Sequence, residues 1–83
     1  MKECTIDNTK MQDIYKQIGL NVARIRKEKG YSQLQLSLAI GHKAVGTVST
    51  AEKSINNKHF NIEHLVKIAD VLEIDIKDFF KGL

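Results

Sequence analysis

Gly30-Tyr31-Ser32-Gln33-Leu34-Gln35-Leu36-Ser37-Leu38-Ala39-Ile40-Gly41-His42-Lys43-Ala44-Val45-Gly46-Thr47-Val48-Ser49-Thr50-Ala51-Glu52-Lys53 reads as two short helices joined by a tight glycine-containing turn. Ser32 suits the N-cap position, where a hydroxyl accepts from an orphan N–H of the first turn. The helix it opens spans Gln33 to Ile40, with Leu36 and Ile40 turned inward at i, i+4. Gly41 stops it, because a helix commonly ends on a left-handed residue and glycine adopts that conformation without penalty. The next helix is expected from about Ala44 to Lys53, with Ala44, Val48 and Ala51 facing inward.

Upstream, Ile14, Ile18, Val22 and Ile25 follow at spacings of four, four and three, one face of a helix from about Lys10 to Lys29. Lys27 and Lys29 complement the helix dipole in the last turn, and Gly30 ends the helix. Gly19 is expected to weaken it locally, by roughly 1 kcal/mol relative to alanine. Residues 1–9 read as a frayed polar lead-in with Asp7-Asn8-Thr9 as a possible cap, leaving 10–83 as the domain. Downstream, Asn56 to Phe60 reads as a polar loop with one apolar plug. Asn61 caps a helix over Ile62–Leu72 whose inner face is Leu65, Ile68, Ala69 and Leu72. Asp75 caps a fifth helix, roughly Ile76 to Lys81, where Ile76, Phe79 and Phe80 close the core. No segment sustains period-two alternation, so the expectation is all-α with no strands.

A chain of 83 residues suits one domain with a modest core and no room for a large enzymatic cleft or a second, ligand-sensing domain. No apolar run reaches membrane-spanning length and the first residues lack a signal peptide's apolar stretch, so a cytoplasmic location is expected. Cys4 is alone, and His42, His59 and His64 lack the spacing of a metal site. No metal, no cofactor and no catalytic residue is expected: there is no Ser-His-Asp arrangement, no paired-carboxylate site and no P-loop. Net charge is +3, unevenly spread. Residues 16–60 carry eight cations (Lys16, Arg24, Arg26, Lys27, Lys29, Lys43, Lys53, Lys58) against Glu28 and Glu52, a balance of +6. Residues 61–83 carry five carboxylates against three lysines, a balance of −2. The first two-thirds is therefore a candidate footprint on a polyanion, although surface helices carry lysines for solubility too. Glu52, set among cations, is expected in a structural ion pair or hydrogen bond. Tyr31 is expected to pack before the second helix, and His64 to lie at the surface or in packing.

Two short helices with a glycine-containing turn, framed by other helices, have helix-turn-helix geometry, but ordinary bundle packing produces the same periodicity. A family resemblance separates the two. Ile18 to Phe80 resembles the Xre-type, lambda-repressor-like helix-turn-helix family in Ala23-Arg24-Ile25-Arg26-Lys27-Glu28-Lys29-Gly30-Tyr31-Ser32-Gln33, Leu36-Ser37-Leu38-Ala39-Ile40-Gly41 and Thr47-Val48-Ser49-Thr50-Ala51-Glu52. It continues in Asn61-Ile62-Glu63-His64-Leu65-Val66-Lys67-Ile68-Ala69-Asp70-Val71-Leu72 and Asp78-Phe79-Phe80, in the family's order.

The resemblance implies a compact five-helix domain that binds double-stranded DNA, usually as a homodimer on a palindrome. It implies that Gln33 touches the sugar-phosphate backbone and supports the recognition helix. By the same resemblance Val45, Gly46 and Thr50 fall at base-reading positions, flanked by Ala44, Thr47, Ser49 and Lys53. Asn57, Lys58 and His59 fall in the phosphate-gripping loop, and Arg24 with Lys27 or Lys29 could reach a neighbouring phosphate. Two departures stand out. The turn from Gly41 to Val48 carries one extra residue, and the third helix has no Arg, Gln or Asn for bidentate base contacts. Val45, the Ser49 and Thr50 hydroxyls, Lys43 and Lys53 remain, which implies a thymine-leaning reader that relies on phosphates and DNA shape. The expected function is a transcriptional regulator that represses as a dimer; the alternative is a protein-interaction module that keeps the fold, such as an antitoxin or an anti-repressor target.

Overall fold

Asp7 opens the first helix: its carboxylate accepts the backbone N–H of Lys10 at 2.8 Å. In the computed structural model, which describes residues 1–41 and 46–83, α1 accordingly spans Asn8–Glu28 and begins two residues before the expected Lys10. Its end is a Schellman turn on Gly30 (φ +81°), where the N–H of Gly30 donates to Lys27 O and that of Tyr31 to Arg26 O, both at 3.0 Å. Ser32 then starts α2 (Gln33–Ala39) with a capping box: Gln35 N–H donates to the Ser32 hydroxyl, and the Gln35 side chain accepts the N–H of Ser32. Gly41, at φ +91°, follows the helix end.

Within the described residues the next helix, α3, is Gly46–Lys53, with Val48 and Ala51 buried as expected. The expected inward position of Ala44 lies outside the described residues. After α3 the chain turns through a short 3-10 segment, Ile55–Asn57, before α4 (Ile62–Leu72). Asn61 caps α4 through a capping box with His64, and the expected inner face of Leu65, Ile68, Ala69 and Leu72 is buried. The expected fifth α-helix is instead a 3-10 helix, Ile76–Phe80. The described residues thus hold four α-helices and two 3-10 segments, with no strand. The tighter winding has a local cause. Asp75 accepts from Lys77 N, only two residues on, and Asp78 N donates back to Asp75 O, an i→i+3 bond.

One apolar cluster joins these elements. Val22 of α1, Leu36 of α2, Val48 of α3, Leu65, Ile68 and Leu72 of α4, and Phe79 of the last segment are its most deeply buried members. Each such side chain contributes about 1.5–3 kcal/mol by leaving water. Phe60, the apolar plug of the loop, is buried; Tyr31, Ile76 and Phe80 pack partly buried around the cluster. Asn21, buried on α1, donates its amide to the carbonyls of Phe79 and Lys81 at 2.8 Å each, which ties the C-terminal segment to α1. No described helix is long and apolar enough to cross a membrane.

Candidate nucleic-acid interface

The position of α3 is set from beneath. A Cβ on Gly19 would lie 2.8 Å from the carbonyl oxygen of Ala51 and nearer still to that of Glu52. Glycine therefore lets α1 touch the backbone of the last turn of α3. The residue expected to weaken α1 is also a point of close backbone approach between α1 and α3.

Beside this contact lies a buried ion pair. Arg26 Nε donates to Glu52 Oε2 at 2.6 Å and Nη2 to Oε1 at 3.1 Å, with both side chains almost wholly out of solvent. Arg26 Nη1 donates to the Tyr31 carbonyl at 2.8 Å, and Gln33 Nε2 donates to Glu52 Oε1 at 3.0 Å. A forked arginine–carboxylate pair is the stronger kind of charged hydrogen bond, and here the extra bonds satisfy what burial would otherwise orphan. Four groups from α1, the α1–α2 turn, the start of α2 and the end of α3 are thereby fixed together. The structural ion pair expected for Glu52 is present. Arg26, counted in the sequence as part of the cationic footprint, is its buried partner and does not face solvent. Gln33 is in contact with Glu52, the arrangement a residue supporting α3 requires.

On the other side of α3, Gly46 and Lys53 are exposed, while Thr47, Ser49 and Thr50 are half-buried. The Thr50 hydroxyl donates to the Gly46 carbonyl at 2.6 Å, so its proton is used within its own helix and its oxygen is left as an acceptor. Gly46, Thr47, Thr50 and Ala51 form one wall of an open groove of about 570 Å³; Asn56, Lys58, His59 and His64 form the other. Of the described sequence-derived positions, Gly46, Thr47, Thr50, Lys58 and His59 share this depression, whereas Gln33, Ser49, Lys53 and Asn57 do not line it. Lys43, Ala44 and Val45, within the turn that carries the extra residue, lie outside the described residues.

The loop wall has unusual backbone. Ser54, Asn56 and Asn57 have φ of 55°, 53° and 61°, left-handed values that asparagine tolerates better than most residues. The His59 ring lies flat on Tyr15 of α1, with centroids 3.7 Å apart and planes 8° apart, and its Nδ1 is 3.1 Å from the Asn57 carbonyl oxygen. His64 meets Phe60 edge-on. Neither Arg24 nor Lys29 lines this groove: both border a different hollow with Ile25, Glu28, Asp78 and Lys81, and Arg24 pairs with Glu28 at 3.4 Å. Sequence reasoning missed Arg26 as the partner of Glu52, and missed Tyr15. For Arg26 a signal existed, since Ile18, Val22 and Arg26 share one helical face at i, i+4, and a charge on an apolar stripe requires a buried partner. Among the described residues no group of His, Cys, Asp and Glu side chains is placed to hold a metal ion.

Comparison with known proteins agrees with this architecture. A helix-turn-helix family model matches residues 22–79, more than two-thirds of the chain, from the core of α1 through Phe79. A search of curated protein sequences finds no match. With α2 and α3 in their expected order and α3 seated on α1 through Gly19 and Glu52, the chain belongs to the Xre-type, lambda-repressor-like helix-turn-helix family of DNA-binding regulators.

Proposed function

We propose that this protein is a sequence-specific transcriptional regulator that acts in the cytoplasm as a homodimer on a palindromic operator and represses by blocking polymerase. The observation that carries the reading is the seating of α3. Its last turn is fixed by the Arg26–Glu52 pair, while Thr47 and Thr50 share an open groove with Asn56 and Lys58. A helix held rigidly on one side and open on the other suits entry into a major groove, with the loop gripping the flanking phosphates. On this reading Val45, Gly46 and Thr50 meet base edges; Lys43, Ala44, Thr47, Ser49 and Lys53 flank them; Gln33, Asn57, Lys58 and His59 meet the backbone. With the Thr50 proton committed to Gly46, readout relies on acceptors, methyl contacts and DNA shape.

Selection of bound duplexes from a random pool at about 150 mM salt tests this, because non-specific binding is weak there. An enriched palindrome with half-sites about one helical turn apart is the expected outcome. A second reading, the protein-interaction module, is favoured by the exposed apolar pairs Leu34 and Leu38 on α2 and Ile62 and Val66 on α4. It gains ground if no sequence is enriched and duplex binding is only generic and salt-sensitive.

A further inference from the structure

We propose that Tyr15 is a positioning residue for the phosphate-contacting loop, acting through His59; the inference rests on the DNA-binding reading above. Tyr15 lies on α1, remote in sequence from the loop, yet its ring and that of His59 stack face to face at 3.7 Å. From there the chain of contacts is short. The same imidazole holds the Asn57 carbonyl oxygen through Nδ1 at 3.1 Å, donating when that nitrogen carries the proton. Asn57 is one of the left-handed residues whose conformation sets where Asn56 and Lys58 point. Lys58 is further tied by its N–H to the Ile55 carbonyl at 2.9 Å.

Without the stack, the described contacts that hold the left-handed turn are the Lys58–Ile55 backbone bond and an exposed His59–Asn57 contact that has lost its own support. Left-handed asparagine lies above the right-handed conformation in energy, so such a turn persists only where its surroundings over-determine it. Tyr15 supplies that restraint from rigid α1. It fixes the loop in advance, so that less conformational entropy is lost when Lys58 and the loop amides meet phosphate.

The test is a double-mutant cycle of Tyr15→Leu and His59→Ala, with Tyr15→Phe as the conservative variant, reading affinity for a duplex as a function of salt. Tyr15→Leu is expected to weaken binding about threefold to tenfold and to flatten the salt slope by about one counterion, since a mis-set loop loses a phosphate contact. Tyr15→Phe keeps the ring and both values. The double variant is expected to lose less than the two single losses combined, the signature of coupled residues. Wild-type affinity and slope in a folded Tyr15→Leu protein, or full additivity in the cycle, overturns the proposal; a purely structural role lowers the melting temperature without touching the slope. Should the wild-type protein bind no duplex, the regulator reading falls, and the loop amide resonances of Asn56, Asn57 and Lys58 decide the coupling. Shifts in Tyr15→Leu that are absent in Tyr15→Phe uphold it, and unmoved resonances sink it.

Discussion

The underside of α3 and the loop that follows it are neighbours in sequence but are held by opposite means. Beneath α3, a glycine contact and a buried, fully paired charge join three helices. In the loop, left-handed residues are held at the surface by one ring stack and a few exposed hydrogen bonds. The first arrangement resists displacement because moving α3 would strand a charge in the core. The second is held by fewer contacts, which lie at the surface, and keeps its polar groups available. A surface that must enter a groove of fixed width needs rigidity in the reading helix, while contacts to a repetitive phosphate backbone tolerate adjustment. The division of labour follows from where burial falls, and each half can be attacked separately.

The largest expected effect comes from Glu52→Leu. Arg26 would keep its buried position with no carboxylate, and breaking a buried pair by removing one partner costs about 3–5 kcal/mol. Urea unfolding measures the loss. Replacing both partners, Arg26→Met with Glu52→Leu, is expected to recover much of it, since a paired buried charge and a packed apolar pair are close in energy. Failure of the double variant to recover stability would mean that the ion pair itself, rather than the avoidance of an orphan, holds α3.

Gly19→Ala is next. Alanine gains roughly 1 kcal/mol in helix propensity, but its Cβ would meet the carbonyls of Ala51 and Glu52. Those are backbone atoms at the fixed end of α3 and cannot rotate aside, so overpacking wins and the net loss is about 1–2 kcal/mol. A stabilised variant would show that the α1–α3 contact yields more readily than the comparison requires.

These two positions also show what a sequence can disclose. The caps at Asp7, Ser32, Asn61 and Asp75 are local, decided within a few residues, and were legible with the inner faces of the helices. Only half of Gly19's role is legible, because propensity sees a glycine's cost to its own helix; the benefit lies in a partner thirty-odd residues away. A charge count has no depth and places Arg26 with the surface cations, although its position on the Ile18–Val22 stripe points inward. The 3-10 character of Ile76–Phe80 was hidden because a single turn between caps has the same pattern in either helix type. Tyr15 left no trace, since a stack between a helix flank and a distant loop has no periodicity to reveal it.

A smaller effect of opposite sign is expected at Ser37. Its side chain is wholly buried in α2 and its hydroxyl has no hydrogen-bond partner among the described residues, unlike the carboxylate of Glu52. An unsatisfied buried polar group costs about 1–3 kcal/mol, and alanine fits the same space with a better helix propensity. Ser37→Ala should therefore stabilise by roughly 1 kcal/mol, raising the melting temperature by about 4–8 °C. The pair of results would separate buried polarity that fixes α3 from buried polarity that does nothing for it; an unchanged melting temperature would indicate that the hydroxyl finds a partner in solution.

The smallest effect on stability is expected where the effect on binding is clearest. Lys58 is exposed in the loop, and its ammonium makes no ion pair among the described residues. Lys58→Ala should leave unfolding within about 0.5 kcal/mol of the wild type, as surface substitutions usually do. If the loop grips phosphate, the same change removes one released counterion, and the slope of log affinity against log salt falls by about 0.9. It should weaken all duplex sequences alike, because phosphate contacts carry no base information. Glu52→Leu is expected to do the reverse, lowering stability first and weakening binding through the lost seating of α3 while leaving the salt slope in place. A Lys58→Ala protein with an unaltered slope would place the phosphate contacts elsewhere, and the division between a core-seated reading helix and a surface-held gripping loop would have to be redrawn around α1 or the start of α2.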